Sequence, residues 1–162
     1  MILIADGGST KTSWCLVDAA SEKIFFKTEG YNPFFVTEEY MVQSLKKFLP
    51  QNLPYQKIKA LHFYGSGAHA EAQAEVLLRA LSTIFTETDV TVYHDMLAAA
   101  RSLLGKKKGF AAILGTGTNT CIYDGQQITH QIDSLGFILG DEGSGIAIGR
   151  RLLSAYIRKT MT

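Results

Sequence analysis

The sequence predicts an α/β protein, and two observations favour this class. Short apolar runs typical of strands alternate with longer stretches typical of helices. The order strand, turn, strand, turn, strand and helix occurs twice, starting near residues 2 and 110. The chain has 162 residues, of which 46% are hydrophobic and 19% charged. It is therefore long enough for one ordinary domain or two small ones, with a core.

The first repeat begins with three strands. Residues 2–5 form an apolar run that predicts a buried strand, and residues 6–12 form a Gly-rich turn. Residues 13–17 would then return as the second strand of a hairpin, and residues 23–28 would form a third strand.

Helices and further strands follow in the middle of the chain. Thr37 is a predicted N-cap, because Glu38 and Glu39 follow it in the first turn, and Pro50 ends that helix. The remaining predicted elements are a strand at 57–64, a helix at 71–85, a strand at 90–93 and a helix at 96–104.

The second repeat follows a basic segment, Gly105 to Gly109. Its run of like charges is typical of a solvated linker. Its predicted elements are strands at 110–114, 119–123 and 127–132, with a turn at 124–126, and a helix from about 144 to 157. The predicted domains are therefore 1–105 and 106–162.

Composition excludes several classes of function. A net charge of +1 gives no reason to expect nucleic acid, a membrane or a polyanion as partner. No apolar run approaches the roughly 18 residues of a membrane span. The N-terminus lacks a basic region and reaches Asp6 after five residues, unlike a signal peptide. Cys15 and Cys121 each lie in an apolar run, which favours buried, reduced thiols in a cytoplasmic protein.

Two turns combine glycine with hydroxyl residues at matching places in the two repeats. Glycine lets backbone N–H groups approach an anion closely, and Ser, Thr and Lys add donors or charge. Either turn alone could be an ordinary hairpin turn; the pair favours phosphate binding, without a Walker A motif. The candidate phosphate-binding residues are Gly7, Gly8, Ser9, Thr10, Lys11, Thr12, Gly115, Thr116, Gly117 and Thr118.

Four carboxylates are the candidates for chemistry. Asp6, at the end of a buried strand, would bind Mg²⁺ through water, or else cap the turn. Asp95 would be a general base or the N-cap of the next helix, and both roles are compatible. Asp141 and Glu142, in "GDEGSG", would accept hydrogen bonds from sugar-type hydroxyls, or cap the helix that follows.

Two weaker patterns lie between these motifs. His62, His69 and His94 superficially suggest a metal phosphohydrolase, although His94 reads better as structural. "YGSGAHA" at 64–70 is similar to a shortened dinucleotide fingerprint, without a clearly placed acidic residue downstream.

Together these stretches resemble the N-acetylglucosamine kinase family, one of the BadF/BcrA-type ATPases of the sugar kinase, Hsp70 and actin superfamily. "LGTGTN" and "GDEGSG" are the most specific motifs, and the resemblance spans nearly the whole chain. It implies a ribonuclease H-like (actin-like ATPase) fold, an α/β mixed sheet with flanking helices. Residues 1–105 would be a complete lobe, and residues 106–162 the first strands and helix of a second.

The resemblance also implies a function: ATP- and Mg²⁺-dependent phosphorylation of an amino sugar, N-acetylglucosamine at the 6-hydroxyl, with Asp95 as catalytic base. Where many members have Gly-Trp-Gly at the sugar pocket, this chain has Ser134, Leu135 and Gly136. The sugar-binding residues implied are Asn32, Asn119, Leu135, Gly136, Asp141 and Gly145.

Two other functions stay open at this point. One is a non-catalytic sugar-sensing module. The other is a BadF/BcrA-type activator ATPase, which would need cysteines that share an iron–sulfur cluster, whereas both cysteines fall within predicted strands. Since family members are roughly twice as long, this chain alone is expected to be inactive or weak. A homodimer is left open.

Overall fold

The computed structural model describes residues 1–132 and 134–161. Its contacts divide the chain into two compact units, Met1–Ala98 and Ala99–Thr162. The division falls inside the helix Asp95–Leu104. The domain boundary expected after residue 105 stays a prediction.

The first unit is built on a five-stranded mixed sheet with strand order β3-β2-β1-β4-β5. β1, β2 and β3 pair antiparallel, whereas β4 pairs parallel to β1 and β5 parallel to β4. Its elements are β1 (Ile2–Gly7), β2 (Lys11–Val17), β3 (Lys23–Glu29), α1 (Glu38–Phe48), a 3-10 helix (Tyr55–Lys57), β4 (Ala60–Gly65), α2 (Glu71–Ile84), β5 (Asp89–His94) and the start of α3 (Asp95–Leu104).

One face of this sheet forms the core with α1 and α2. Burial alternates along β1, where Leu3 and Ala5 are fully buried and Ile4 between them is exposed, as expected for a strand with one covered face. Trp14 is the largest buried side chain; it stacks on Phe26 with ring centroids 5.8 Å apart. The helices contribute Met41, Leu45, Leu77, Ala80 and Leu81 to the same cluster.

The second unit contains a three-stranded antiparallel sheet in the order β6-β7-β8, followed by two helices. These elements are β6 (Gly109–Leu114), β7 (Thr118–Tyr123), β8 (Ile128–Ile132), α4 (Gly136–Leu139) and α5 (Gly145–Ile157). Each unit therefore contains three consecutive antiparallel strands, which confirms the predicted strand repeat.

The helix starts agree with the sequence where a hydroxyl cap was available. Thr37 caps α1, its side chain accepting a hydrogen bond from the backbone N–H of Tyr40 at 3.2 Å. Ser144 caps α5 in the same way, with Ala147 N–H as the donor. Both interactions join residues three positions apart, so they are visible in the sequence.

Two predictions of secondary structure were wrong. The strand expected from residue 57 begins only at Ala60, because Lys57 N–H donates to the Pro54 carbonyl at 2.9 Å and closes a 3-10 turn. The Gly-rich stretch after β8 contains the short helix α4, which begins at Gly136 with a φ of 70°. Glycine adopts this left-handed conformation readily, and a helix that starts in this way is not predicted by the spacing of its apolar residues.

Across residues 1–132 and 134–161, no helix is both long and apolar enough to cross a membrane.

Candidate functional site

The first glycine–hydroxyl turn is shorter than predicted. β1 continues to Gly7 and β2 begins at Lys11, so the turn itself is residues 8–10. The backbone N–H of Gly8 donates to the Lys11 carbonyl at 2.9 Å and closes it. Ser9, Thr10 and Lys11 are exposed there, as donors to an anion must be.

Thr12 differs from the rest of this candidate set. It belongs to β2, is fully buried, and lies on the core face of the sheet with Trp14. Its Oγ1 has no hydrogen-bond partner in the described part of the chain. A direct contact between Thr12 and a phosphate would therefore require movement of the hairpin.

The loop after β3 packs directly against the turn. Asn32 donates a hydrogen bond from Nδ2 to Ser9 Oγ at 3.0 Å, and its Oδ1 accepts one from Phe34 N–H at 3.0 Å. Gly30 lies so close that a Cβ there would be 2.5 Å from the carbonyl oxygens of both Gly8 and Ser9. The fold thus brings the predicted sugar residue and the first predicted phosphate turn into contact.

Gly30→Ala should displace this turn, because its methyl group would overlap backbone atoms that cannot rotate away. We expect a loss of about 1–3 kcal/mol in the free energy of unfolding, measured by denaturant titration. Gly149→Ala is the matched control, since its added Cβ meets no atom within 4 Å. Equal stability of the two variants would contradict the close packing at Gly30.

The two candidate carboxylates of the first unit lie at one edge of its sheet. Asp6 is near the carboxyl end of β1, and Asp95 follows β5 directly; both strands run parallel to β4 between them. Ligand sites of α/β sheets form at this edge. Partial removal from water and the negative charge of Asp95 raise the pKa of Asp6, and Lys11 acts in the opposite direction.

The carboxylates at this edge of the sheet are compatible with a Mg²⁺ ion that has only one or two protein ligands. Within the described residues no three His, Cys, Asp or Glu side chains form a cation cage. Mg²⁺ usually keeps several waters and takes one or two carboxylates together with substrate phosphates. The mutual repulsion of Asp6 and Asp95 is what a cation here would offset. The same finding leaves the suggested cluster of His62, His69 and His94 without support as a metal centre.

Asp95 is the first residue of α3 and not its N-cap, so that structural alternative was wrong. Its Oδ1 lies 2.9 Å from Nε2 of His94, the last residue of β5. Sequence analysis had given His94 no part in the site, because contact between neighbouring side chains depends on how the strand passes into the helix.

The second glycine–hydroxyl turn, residues 115–117 between β6 and β7, is held by the start of α5. Gly145 N–H donates to the Gly115 carbonyl at 2.9 Å, and Ile146 N–H to the Thr116 carbonyl at 3.2 Å. These bonds use N–H groups that a helix start leaves without intrahelical partners. The "LGTGTN" and "GDEGSG" motifs are therefore in direct contact.

Asp141 joins three segments of the second unit. Its Oδ1 accepts hydrogen bonds from Ser134 Oγ at 2.6 Å and Thr118 N–H at 3.0 Å. These two bonds, Ser134 first, lower the pKa of Asp141. The residue is 7% exposed and has a φ of 60°, a left-handed conformation that Asp tolerates better than most residues. The capping alternative for Asp141 was wrong, since Ser144 caps α5.

The other candidate sugar residues of this unit are distributed around that junction. Leu135 is 68% exposed, and Gly136 has open space where a side chain would be. Asn119 uses its Oδ1 to accept from Thr120 N–H at 2.9 Å. A Cβ added at Gly145 would contact the carbonyl oxygen of Gly115. Ser134 was noted in the sequence only as a departure from Gly-Trp-Gly; its hydrogen bond to Asp141 carries no sequence signal.

The cysteines occupy strands, as predicted. Cys121 is buried in β7, whereas Cys15 in β2 is only partly buried, so the expectation of two buried thiols was right for one of them.

Comparison with solved structures gives a match over the whole length of this chain. A protein from Porphyromonas gingivalis described as "Putative N-acetylglucosamine Kinase" superposes with a TM-score of 0.93 and 39% sequence identity. The match covers 100% of this chain and 58% of that protein. No protein-family model matches the chain, and a search of curated proteins gave no match.

More distant structures share the fold alone. A protein from Chromobacterium violaceum with the same description has a TM-score of 0.64 and 19% identity, covering 94% of this chain and 55% of its own. MreB5 of Spiroplasma citri, bound to ADP, has a TM-score of 0.57 and 11% identity, covering 81% and 50%.

The chain thus spans between about half and three fifths of these proteins' lengths. Its mixed sheet with flanking helices is the actin-like ATPase fold, as predicted. Over its whole length this chain is therefore similar to the Porphyromonas gingivalis protein described as an N-acetylglucosamine kinase, of which it covers 58%.

Proposed function

We propose that the protein to which this chain belongs transfers a phosphoryl group from ATP to an amino sugar, with N-acetylglucosamine and its 6-hydroxyl as the expected substrate and acceptor. The observation that carries the proposal is the 39% identity with the Porphyromonas gingivalis protein over all of this chain. The chain spans 58% of that protein, so the proposal concerns the complete protein.

In this proposal the two glycine–hydroxyl turns bind the nucleotide phosphates. The exposed Ser9, Thr10 and Lys11 offer donors and a positive charge in the first unit. Gly115–Thr118 would offer backbone N–H and hydroxyl donors in the second unit. Asp6 would hold Mg²⁺ through water, and the ion would offset the negative charge of the nucleotide phosphates.

Asp95 is the proposed general base. Its carboxylate would take the proton from the sugar hydroxyl as that oxygen forms a bond to the γ-phosphorus and the bond from phosphorus to the bridging oxygen breaks. Its position directly after β5, at the edge where the parallel strands β1, β4 and β5 end, supports this role. The Ser9–Asn32 hydrogen bond places a candidate sugar ligand against a phosphate turn of the same unit.

Asp141 is the proposed sugar ligand of the second unit. Two internal donors occupy its Oδ1, which leaves Oδ2 for a sugar hydroxyl. Asn119, Leu135, Gly136 and Gly145 would complete the pocket around it. We further expect a cytoplasmic protein with a small-molecule partner and neither nucleic acid nor membrane as ligand; a homodimer is left open.

The test is ADP release by the complete protein with a panel of sugars and none: N-acetylglucosamine, glucosamine, glucose and N-acetylmuramic acid. We expect release that depends on an amino sugar and stops when Mg²⁺ is chelated. Release without any sugar would instead indicate an ATPase. Sugar binding without release would indicate a sensing module, and either result overturns the proposal.

A further inference from the structure

The sequence "YHDM" places a histidine and the proposed base at the junction of β5 and α3. His94 Nε2 and Asp95 Oδ1 are 2.9 Å apart, within the distance of an ion pair. The two side chains are 14% and 23% exposed, so water screens this contact less than it would a surface pair. The pair therefore lies at the same edge of the five-stranded sheet as Asp6.

The two oxygens of Asp95 are not equivalent. Oδ1 is buried, and the described part of the chain gives it no hydrogen bond of regular geometry. Nε2 of the neighbouring His94 lies 2.9 Å from that oxygen, at hydrogen-bond distance but without hydrogen-bond alignment. A buried carboxylate oxygen without a donor is costly, which favours a hydrogen bond from His94. Catalytic hydrogen bonds are often misaligned before substrate binds.

The imidazole of His94 is in turn supported by other rings. His69 meets it edge to face, with centroids 5.8 Å apart, and Phe34 stacks on His69 at 5.7 Å. Phe34 N–H donates to Asn32 Oδ1. A continuous row of contacts therefore runs from the candidate sugar ligand Asn32 to the proposed base, entirely within the first unit.

We propose that His94 is a positioning residue for Asp95, an inference that rests on the proposed function. By donating to the inner oxygen Oδ1, His94 fixes the rotation of the carboxylate, so that Oδ2 faces the sugar hydroxyl and takes its proton. A base oriented by a further group in this way is a recurring arrangement in enzymes. The alternative is that His94 serves only to pack against His69.

Two substitutions separate these roles. His94→Phe keeps an aromatic ring against His69 but removes the N–H, whereas His94→Gln removes the ring and keeps an amide N–H near the position of Nε2. In the complete protein we expect His94→Phe to lower kcat roughly 10- to 100-fold with the sugar KM unchanged, because the base loses its orientation and the sugar keeps its ligands. His94→Gln should retain most of the activity.

The opposite pattern, an active His94→Phe and an impaired His94→Gln, would overturn the proposal and leave a packing role. Thermal unfolding of both variants checks that neither result reflects loss of fold. A fall in sugar affinity that accounts for the whole effect of His94→Phe would also overturn it.

The unsubstituted protein is assayed first. If it shows no sugar-dependent ADP release, the proposed function fails and this inference fails with it. If it is active and His94→Phe keeps its kcat, only the positioning role fails.

Discussion

Asp95→Asn should lower kcat for sugar phosphorylation by roughly 10²- to 10⁴-fold while leaving sugar affinity nearly unchanged, because a neutral amide cannot accept the proton of the attacking hydroxyl. The substitution keeps the size and shape of the side chain at the start of α3. Steady-state ADP release gives kcat, and calorimetric titration with the sugar gives the affinity. This is the largest effect that the proposed mechanism predicts for any single residue.

Asp89→Asn is the matched control for that experiment. Asp89 begins the same strand, β5, is exposed, and lies at the opposite end from Asp95. The two variants therefore lose the same charge at opposite ends of β5, and only the position differs. Phosphotransfer that survives in Asp95→Asn at more than about a tenth of the original kcat would remove Asp95 from the role of base.

Asp141→Ala should weaken sugar binding by roughly 10- to 100-fold, the contribution of one or two hydrogen bonds to a charged group. The same change removes the acceptor for Ser134 Oγ and Thr118 N–H, so part of the loss could come from disorder of the second turn. Alanine also fits poorly at a φ of 60°. A second variant is needed to separate the sugar contact from these structural effects.

Asp141→Asn supplies that separation. Asparagine tolerates the left-handed conformation, and its Oδ1 can still accept from both internal donors, so only Oδ2 changes, from an acceptor to an NH₂ donor. If Oδ2 binds a sugar hydroxyl, sugar affinity should fall in both variants. Glu142→Ala, which removes the exposed neighbouring carboxylate, should leave it unchanged. Full affinity in Asp141→Asn would contradict direct contact with the sugar.

The sequence alone determined the elements whose signals are local. Residues within a few positions of one another determine the hairpins of both units, the cap Thr37, the start of α5 near residue 144 and the Gly-rich turns. The apolar run at 2–5 predicted a fully buried strand, whereas β1 buries only one face, with Leu3 and Ala5 buried and Ile4 exposed. The fold class was predictable because these local preferences agree with one another along the chain, and the resemblance of "LGTGTN" and "GDEGSG" to a known family extended it to the superfamily.

Only the tertiary structure decided which candidates meet. The hydrogen bonds from Asn32 to Ser9 and from Thr118 to Asp141 each join residues 23 positions apart. The burial of Thr12 and the close approach of Gly30 to the first turn likewise depend on strands that pair at a distance in sequence. No periodicity encodes such contacts, because they arise when chain segments that are remote in sequence pack around a common core.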